Sequence, residues 1–389
     1  MIYLDAAATT AMPRPVVEAM WPHLTSGFGN PSSHHDLGDA ASAALTEARE
    51  VVAHWLGCRA AEVIFTSGGT EADNLAIKGI ALANPRGRHI VTSAIEHEAV
   101  LESCAYLERH HGFEVDYIEV DSDGRLDLAR FEAALRDDTS LCSVMMANNE
   151  VGTVQPLDEV VALAHARGAL VHTDAVQAAG WLDLDVAASG VDALSVSGHK
   201  LGAPKGIGAL FVRSRLALEP VLHGGGQERG ARSGTENVAG AVGLAAAIAH
   251  GRGGFALDGA TTRDDFIARV LARVPGAILT GHPIDRLPAH ASFCFTGTSG
   301  EAVLLELERR GVVCSSGSAC AAGSDAPSHV LLAMGIEPTV AQTAVRFTWS
   351  ADATPDDIET AADAVLDSVL AVRGLARAQA EAGLGRSRA

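Results

Sequence analysis

The chain has 389 residues, with 29 Lys and Arg against 48 Asp and Glu, a formal charge of −19 at pH 7 and a charged fraction of 20%, which is ordinary for a globular enzyme. That length predicts two domains, or one large domain with an elaboration, around a substantial core, and the acidic balance excludes a nucleic-acid surface. Six cysteines (Cys58, Cys104, Cys142, Cys294, Cys314, Cys320) lie apart without CxxC or Cys/His spacing, which indicates neither a disulfide framework nor a zinc site. Met1-Ile2-Tyr3-Leu4-Asp5 carries no basic leader and no apolar run reaches membrane-spanning length, so a cytoplasmic protein with reduced thiols and no membrane partner is expected.

In chain order, a short first strand leads through Ala6-Ala7-Ala8-Thr9-Thr10 to a proline-bracketed helix near 16–24. The loop Gly27-Phe28-Gly29-Asn30-Pro31-Ser32-Ser33 is either a plain connection or a place where backbone and an amide reach a ligand. Apolar residues then recur at three and four residues from Leu37 to Leu56 and stop at Gly57, the pattern of an amphipathic helix. The buried-strand run 62–66 meets Ser67-Gly68-Gly69-Thr70-Glu71 and a helix over 72–83. Strand, glycine turn and helix N-terminus together make an anion site, because free N–H groups and the helix dipole converge there; the plainer reading is that Thr70 only caps the helix.

Strands predicted over 89–93, 114–120, 141–147, 169–173 and 193–196 alternate with helices over 99–110, 128–136 and 157–167. This alternation predicts an α/β fold, a mostly parallel sheet covered on both faces, with ligand groups at the carboxyl ends of the strands. The conspicuous polar residues fall there: His97, Asn148-Asn149-Glu150, Asp174-Ala175-Val176-Gln177 and Lys200. After a strand over 206–212, the glycine-rich loop 224–235 is either a mobile connection or a phosphate contact at a subunit boundary. A helix over 238–249 ends in Gly251-Arg252-Gly253-Gly254, which sets a large domain over 14–254 and a smaller α+β domain from 1–13 and 255–389. In the latter, helices are expected over 264–274, 302–309, 330–334 and from 356, and strands over 291–295, 312–314 and 344–348; the slightly basic tail reads as a solvated end.

The stretch Ser195-Val196-Ser197-Gly198-His199-Lys200 runs from an apolar strand onto a glycine-broken turn with a lysine at its apex. A lysine at a strand exit, partly desolvated and near other cations, can condense with an aldehyde, so Lys200 is read as the Schiff-base lysine of a pyridoxal phosphate enzyme; the alternative is a solvated loop lysine. Such chemistry needs a carboxylate to keep the ring nitrogen protonated, and Asp174 is placed for it. His97 can stack on the ring, and Gln177 and Asn149 can donate to its phenolic oxygen. Each of these residues also has a plain reading as a turn residue or cap. Their recurrence at successive strand ends argues for a shared site.

Motifs from Tyr3-Leu4-Asp5 through Phe65-Thr66-Ser67-Gly68, Glu96-His97, Asn148-Asn149-Glu150-Val151-Gly152, Asp174-Ala175-Val176-Gln177, Ser197-Gly198-His199-Lys200, Arg232-Ser233-Gly234-Thr235 and Ser315-Ser316-Gly317-Ser318-Ala319-Cys320 to Val345-Arg346-Phe347 cover nearly the whole chain. In these the chain resembles the cysteine desulfurases of the class-V aminotransferase family. The resemblance implies a homodimer of fold-type I architecture, with a large domain built on a mostly parallel seven-stranded sheet and a smaller α+β domain. It implies pyridoxal 5'-phosphate on Lys200, its phosphate held by Gly69, Thr70, Ser197 and His199 with Thr235 of the neighbouring subunit, its ring stacked by His97, and Asp174, Asn149 and Gln177 around it. Arg346, helped by Asn30, would hold the carboxylate of L-cysteine. Lys200, His97 and Cys320 would be catalytic, with Cys320 taking the substrate sulfur as a persulfide, leaving alanine, and handing it to an acceptor protein. Gly317 and Gly323 beside Cys320 would give its loop freedom. Where the family commonly reads a Ser-Leu-Gly-like turn after Arg346-Phe347, this chain reads Thr348-Trp349-Ser350-Ala351, which would alter the substrate-side wall, and the acceptor-docking tail of some relatives has no match.

A selenocysteine lyase or other carbon–sulfur lyase would share Lys200 and Asp174 without needing Cys320. An iron–sulfur carrier using Cys294, Cys314 and Cys320 lacks clustered ligand spacing, and no GxGxxG joins a strand to a helix as a nucleotide-binding dehydrogenase requires.

Overall fold

The computed structural model describes residues 1–84, 86–251, 259–317 and 326–386. After β1 (Ile2–Tyr3), α1 (Arg14–Thr25) carries Pro15 in its first turn, where a missing N–H breaks no helical bond. The long α2 (Asp36–Leu56) ends at Gly57, whose φ of 67° is the left-handed conformation that closes a helix. Strands and helices then alternate as expected: β2 (Val63–Thr66), α3 (Gly69–Ala83), β3 (His89–Ser93), α4 (Glu98–His111), β4 (Glu114–Ile118), α5 (Leu128–Ala134), β5 (Thr139–Ser143), α6 (Leu157–Ala166), β6 (Leu170–Asp174), α7 (Val186–Ser189), β7 (Ala193–Ser197) and β8 (Gly208–Val212).

These strands form one seven-stranded sheet in the order β2-β8-β7-β6-β5-β3-β4, parallel except for β8, which runs antiparallel to both its neighbours. Every residue of β2, β3, β5, β7 and β8 is buried, as a sheet covered on both faces requires. On one face α3 and α4 lay Ala76, Ile80, Val100 and Leu107 against Ile64, Ile90 and Leu210; on the other, Val16, Leu45, Val52 and later Leu244 meet Phe65, Val91 and Leu194. Because β8 lies between β2 and β7, Gly208 pairs with both Thr66 and Ser197, bringing the glycine turn and the lysine turn to one edge of the sheet. Glycine is needed there: a Cβ at 208 would stand 2.7 Å from the Gly68 Cα.

Beyond α8 (Val238–Gly251) come α9 (Gly259–Arg273), β9 (Ala277–Thr280), β10 (His290–Phe295), α10 (Gly300–Arg309), β11 (Val312–Val313), α11 (His329–Ala333), α12 (Pro338–Ala341), β12 (Ala344–Thr348) and α13 (Pro355–Arg386). Antiparallel β12-β10-β9 make a second sheet, and β1 crosses to pair in parallel with β11. The core over this sheet is aromatic, with Phe266 edge-on to Phe347 at 5.3 Å and to Trp349 at 5.9 Å. Trp349, expected in the substrate-side wall, is thus 1% exposed and packs chiefly as core. β9 escaped the sequence reading because its four residues, one buried, one exposed and two intermediate, show no period.

One buried ion pair ties the glycine-rich loop 224–235 to this frame. Glu228 and Arg229 both have positive φ, 48° and 59°, a strained pair for residues with side chains. Glu228 is held there by the Arg49 guanidinium fork, at 2.6 and 2.7 Å, and by the N–H of Phe65 at 3.2 Å. Replacing one partner leaves the other buried and unpaired, so Glu228→Ala should lower stability by about 3–5 kcal/mol in urea denaturation. Glu18→Ala, at the exposed Arg14–Glu18 pair, should leave it within measurement error. Equal effects of the two substitutions would contradict this.

Candidate active site

β7 ends at Ser197, and the single turn Gly198–Lys200 brings the lysine back across the strand end. Lys200 is half-buried; its Nζ donates to the carbonyls of Ala7 and Ala8, the latter at 2.7 Å. The N-terminal segment is stitched to the same turn: the N–H and hydroxyl of Thr10 donate to the His199 carbonyl at 3.0 and 2.9 Å, and the Gly202 N–H donates to Thr10 Oγ1 at 2.8 Å. Burial, with the charges of Lys200 and Lys205, pushes His199 down to about 4, so its ring is neutral at pH 7.

Next to this turn α3 begins at Gly69 with no side-chain cap; Thr70 is exposed and does not cap the helix, which removes the plainer reading of that motif. The first N–H groups of a helix have no acceptor within it and face the dipole's positive end. The turn is close-packed: a Cβ at Gly69 would meet Val176 Cγ2 at 2.7 Å and Ser197 Cβ at 3.3 Å, so the exits of β2, β6 and β7 converge here.

Asp174 closes β6, buried, with Oδ1 accepting from the Val176 N–H at 2.8 Å. Burial raises its pKa, while the charges of His97 and Lys200 pull it down. His97 starts α4, its Nδ1 accepting from the Ala99 N–H at 3.0 Å, and Gln177 Nε2 donates to the Ala7 carbonyl at 3.0 Å. Two further acids lie close by. Glu96 is pushed up to about 8 by burial, although Ser93 Oγ and the Met145 N–H donate to its Oε1 at 2.7 and 2.9 Å. Asp73, from α3, is raised by burial and by the Asp174 charge. His172 sits between Ser143 Oγ and Ser195 Oγ at 2.9 Å each, and burial holds it at about 3, hence neutral.

From the second sheet, β12 delivers Arg346, 2% exposed. Its Nη1 donates to the Asn149 carbonyl at 2.9 Å and its Nη2 to Asp5 Oδ1 at 3.0 Å; its Nε is buried with no partner among the described residues. His290 Nε2 approaches the same Asn149 carbonyl at 3.2 Å. A cavity of about 550 Å³ is lined among others by Thr10, Gln177, Lys200, His290 and Trp349.

The structure therefore gathers Gly69, Ser197, His199, Lys200, Asp174, Gln177 and His97 at one sheet edge, with Asn149 and Arg346 reached through the N-terminal segment. Asn30 and Thr235 are exposed on loops, Asn30 Oδ1 accepting from the Ser32 N–H at 2.9 Å, and neither bonds another site residue among the described residues. Cys320 lies outside the described residues. Sequence reasoning missed Asp73 and His290 altogether and gave Asp5 and Glu96 no role. Asp5 and Glu96 each end a motif or adjoin one, the signal available; Asp73 and His290 carry none, since only burial distinguishes them.

The family described as aminotransferase class-V matches residues 2–360. A cysteine desulfurase of Cereibacter sphaeroides is 46% identical over 92% of this chain and 93% of its own. Among solved structures, a NifS-like protein superposes with a TM-score of 0.87 at 35% identity, covering 94% of this chain and 98% of that one. A structure described as SspA in complex with cysteine superposes with 0.80 at 36% identity, covering 90% and 98%. Together with the mostly parallel seven-stranded sheet, these likenesses give the fold-type I architecture of pyridoxal phosphate enzymes. The chain belongs to the cysteine desulfurase family of the class-V aminotransferases.

Proposed function

We propose that this protein converts L-cysteine to L-alanine with pyridoxal 5'-phosphate and takes the sulfur onto Cys320 before passing it to an acceptor protein. The observation that carries this is the convergence of Lys200, the buried Asp174 carboxylate and the uncapped start of α3 at one sheet edge.

The residues fit the cofactor. A buried carboxylate whose pKa is raised by desolvation is stabilised by a cation, and Asp174 would have one in the protonated pyridine nitrogen of the cofactor. The closed glycine turn leaves backbone N–H groups of Gly69 and Thr70 for a phosphate, with the Ser197 hydroxyl and the His199 ring beside it; Thr235 of the partner subunit would complete the cradle in a homodimer. His97 would lie against the ring, and Gln177 and Asn149 would hold its phenolic side. When bound, the cofactor supplies an aldehyde for amines and an electron sink for a carbanion at the substrate Cα.

Arg346 would hold the substrate carboxylate, for which its unpartnered Nε is a ready donor beside Nη2, with Asn30 assisting. Lys200 would hold the cofactor through its amine and, with substrate bound, would move the Cα proton. The Cys320 thiolate then attacks the substrate sulfur: an S–S bond forms, the C–S bond breaks with its electron pair left on carbon, and a proton completes alanine. The acceptor belongs to iron–sulfur cluster assembly or to thio-modification. The chain would divide into 14–254 and a second part, 1–13 with 255–389, that carries Cys320. No helix among the described residues is long and apolar enough to cross a membrane, and a cytoplasmic location is part of this proposal.

Assay of alanine and sulfide from L-cysteine with a thiol reductant should give equal amounts from the parent. Lys200→Ala and Cys320→Ala should each abolish both. Pyruvate from the parent, or full activity in Cys320→Ala, would move the reading to a carbon–sulfur lyase.

On this reading Asp174 is the acid that carries charge, while Glu96 stays neutral behind it. The unfolded chain releases the Glu96 proton near 4.5, and the folded chain keeps it to about 8. The folded state therefore binds more protons in that window, and stability falls as pH rises through it. Glu96→Gln removes this loss, so its melting temperature relative to the parent should climb between about pH 5 and about pH 8. A difference that is flat with pH would show that Glu96 is ionised throughout.

A further inference from the structure

Two acceptors, one from the N-terminal segment and one from the loop after β5, hold the Arg346 guanidinium. Asp5 Oδ1 accepts from Nη2 at 3.0 Å and the Asn149 carbonyl from Nη1 at 2.9 Å, while Nε has no partner among the described residues. A guanidinium carries five N–H bonds in one rigid plane, so acceptors on two different nitrogens fix both where that plane lies and how it is turned. The ion pair is close to dry, with the arginine side chain 3% exposed and the aspartate 18%, so dissolved salt screens it little.

The Asp5 backbone is anchored independently of this pair. The Leu4 N–H donates to the Val313 carbonyl at 2.7 Å, the Thr348 N–H to the Leu4 carbonyl at 2.9 Å and the Ala6 N–H to the Thr348 carbonyl at 3.0 Å, so the stretch runs between β11 and β12. Arg346 lies two residues before Thr348 on β12, on the same face of that strand. The Asp5 carbonyl also accepts from the Ala8 N–H and from the Tyr3 hydroxyl, at 3.0 Å each. The carboxylate is thus fixed from its own side, and the long arginine side chain, with its many rotamers, is the partner that adapts.

We infer that Asp5 is a positioning residue that turns the guanidinium so that Nε and the second N–H of Nη2 face the substrate carboxylate, and that it thereby sets the preference for an α-amino acid over a plain amine. This rests on the reading of Arg346 as the group that holds that carboxylate. A bidentate pair needs its two N–H bonds parallel and in the plane of the carboxylate. A guanidinium held by the Asn149 carbonyl alone pivots about that one bond, and one of the two bonds to the substrate is lost. The amine end of the substrate is taken up on the Lys200 side of the site, so an effect through Arg346 shows in the carboxylate alone.

The test titrates holoenzyme with L-alanine and with ethylamine, the same amine without its carboxylate, and reads both dissociation constants from the change in cofactor absorbance. Neither ligand carries sulfur, so the readout is independent of turnover. The ratio of the two constants measures carboxylate recognition, and a general loosening of the fold leaves it unchanged. Asp5→Ala should shrink that ratio by about tenfold or more, the worth of one hydrogen bond to a charged group. Asp5→Asn keeps an acceptor oxygen and should stay within about threefold of the parent. Asp5→Glu keeps the charge but carries it one methylene farther, and should shrink the ratio by misplacing the guanidinium; it decides the matter if Asp5→Ala does not retain the cofactor. A parent ratio in the deciding variant, or equal losses in Asp5→Asn and Asp5→Ala, which would make charge rather than position the cause, overturns the inference. Arg346→Ala should lose the preference altogether. If it keeps the parent ratio, the reading of Arg346 is wrong and the inference falls with it; if it loses the ratio while Asp5→Ala keeps it, the inference alone is wrong.

Discussion

Residues 5–8 are the constraint on which the site depends. They lie between the two sheets and are bonded to both: Lys200 and Gln177 donate to the carbonyls of Ala7 and Ala8, while the N–H groups of Ala6 and Ala7 donate to the carbonyl and hydroxyl of Thr348 at 3.0 and 2.8 Å. Asp5 adds the ion pair to Arg346. Three alanines suit this place because backbone must approach backbone from two sides. Tyr3 closes the turn from outside, its hydroxyl donating to the carbonyls of Asp5 and Thr9. Carbonyl oxygens hold the Lys200 amine in position as neutral acceptors.

The polar groups beneath α3 follow from the same burial. Three acids, Asp73, Glu96 and Asp174, share a space too dry for three charges, and two of the imidazoles nearby, His172 and His199, are held neutral. Burial therefore favours the protonated form of all three, and Asp174, on which the charges of His97 and Lys200 pull the other way, is the group that a cation brought into the site would ionise. A buried charge without such a partner would cost several kcal/mol, on the order expected for an unpaired ion in a protein interior.

How far the sequence disclosed this depends on distance along the chain. β2, β7 and β8 announced themselves as short apolar runs, and Lys200, Asp174 and His97 fall at strand ends, where position follows from the local pattern alone. Arg346 with Asp5 spans 341 residues, and nothing local marks either as the other's partner. His290 and Asp73 look like ordinary polar residues on a strand and a helix until burial is known. Asn30 and Thr235 lie in loops that the sequence leaves open between plain connection and ligand contact, their roles coming only from family resemblance, and one chain leaves both exposed. Glu228 and Arg229 defied the pattern in another way, adopting a backbone region that sequence alone assigns to glycine.

That last exception has a physical reason. The loop 224–235 is not held by its own hydrogen bonds alone but by charges reaching into the sheet edge: Glu228 to Arg49 and the Phe65 N–H, Arg229 to the Val63 carbonyl at 2.6 Å, and Arg232 Nε to Glu71 at 2.8 Å. Glu71 in turn accepts from the Ser67 N–H at 2.8 Å, within the glycine turn itself. Strain of about 1–3 kcal/mol per unfavourable backbone residue is affordable against a buried, forked ion pair whose disruption costs more. Turn and loop therefore form a single braced unit: the strand end that shapes the turn before α3 also fixes the loop, and a change at Arg49 or Glu71 would be felt on both.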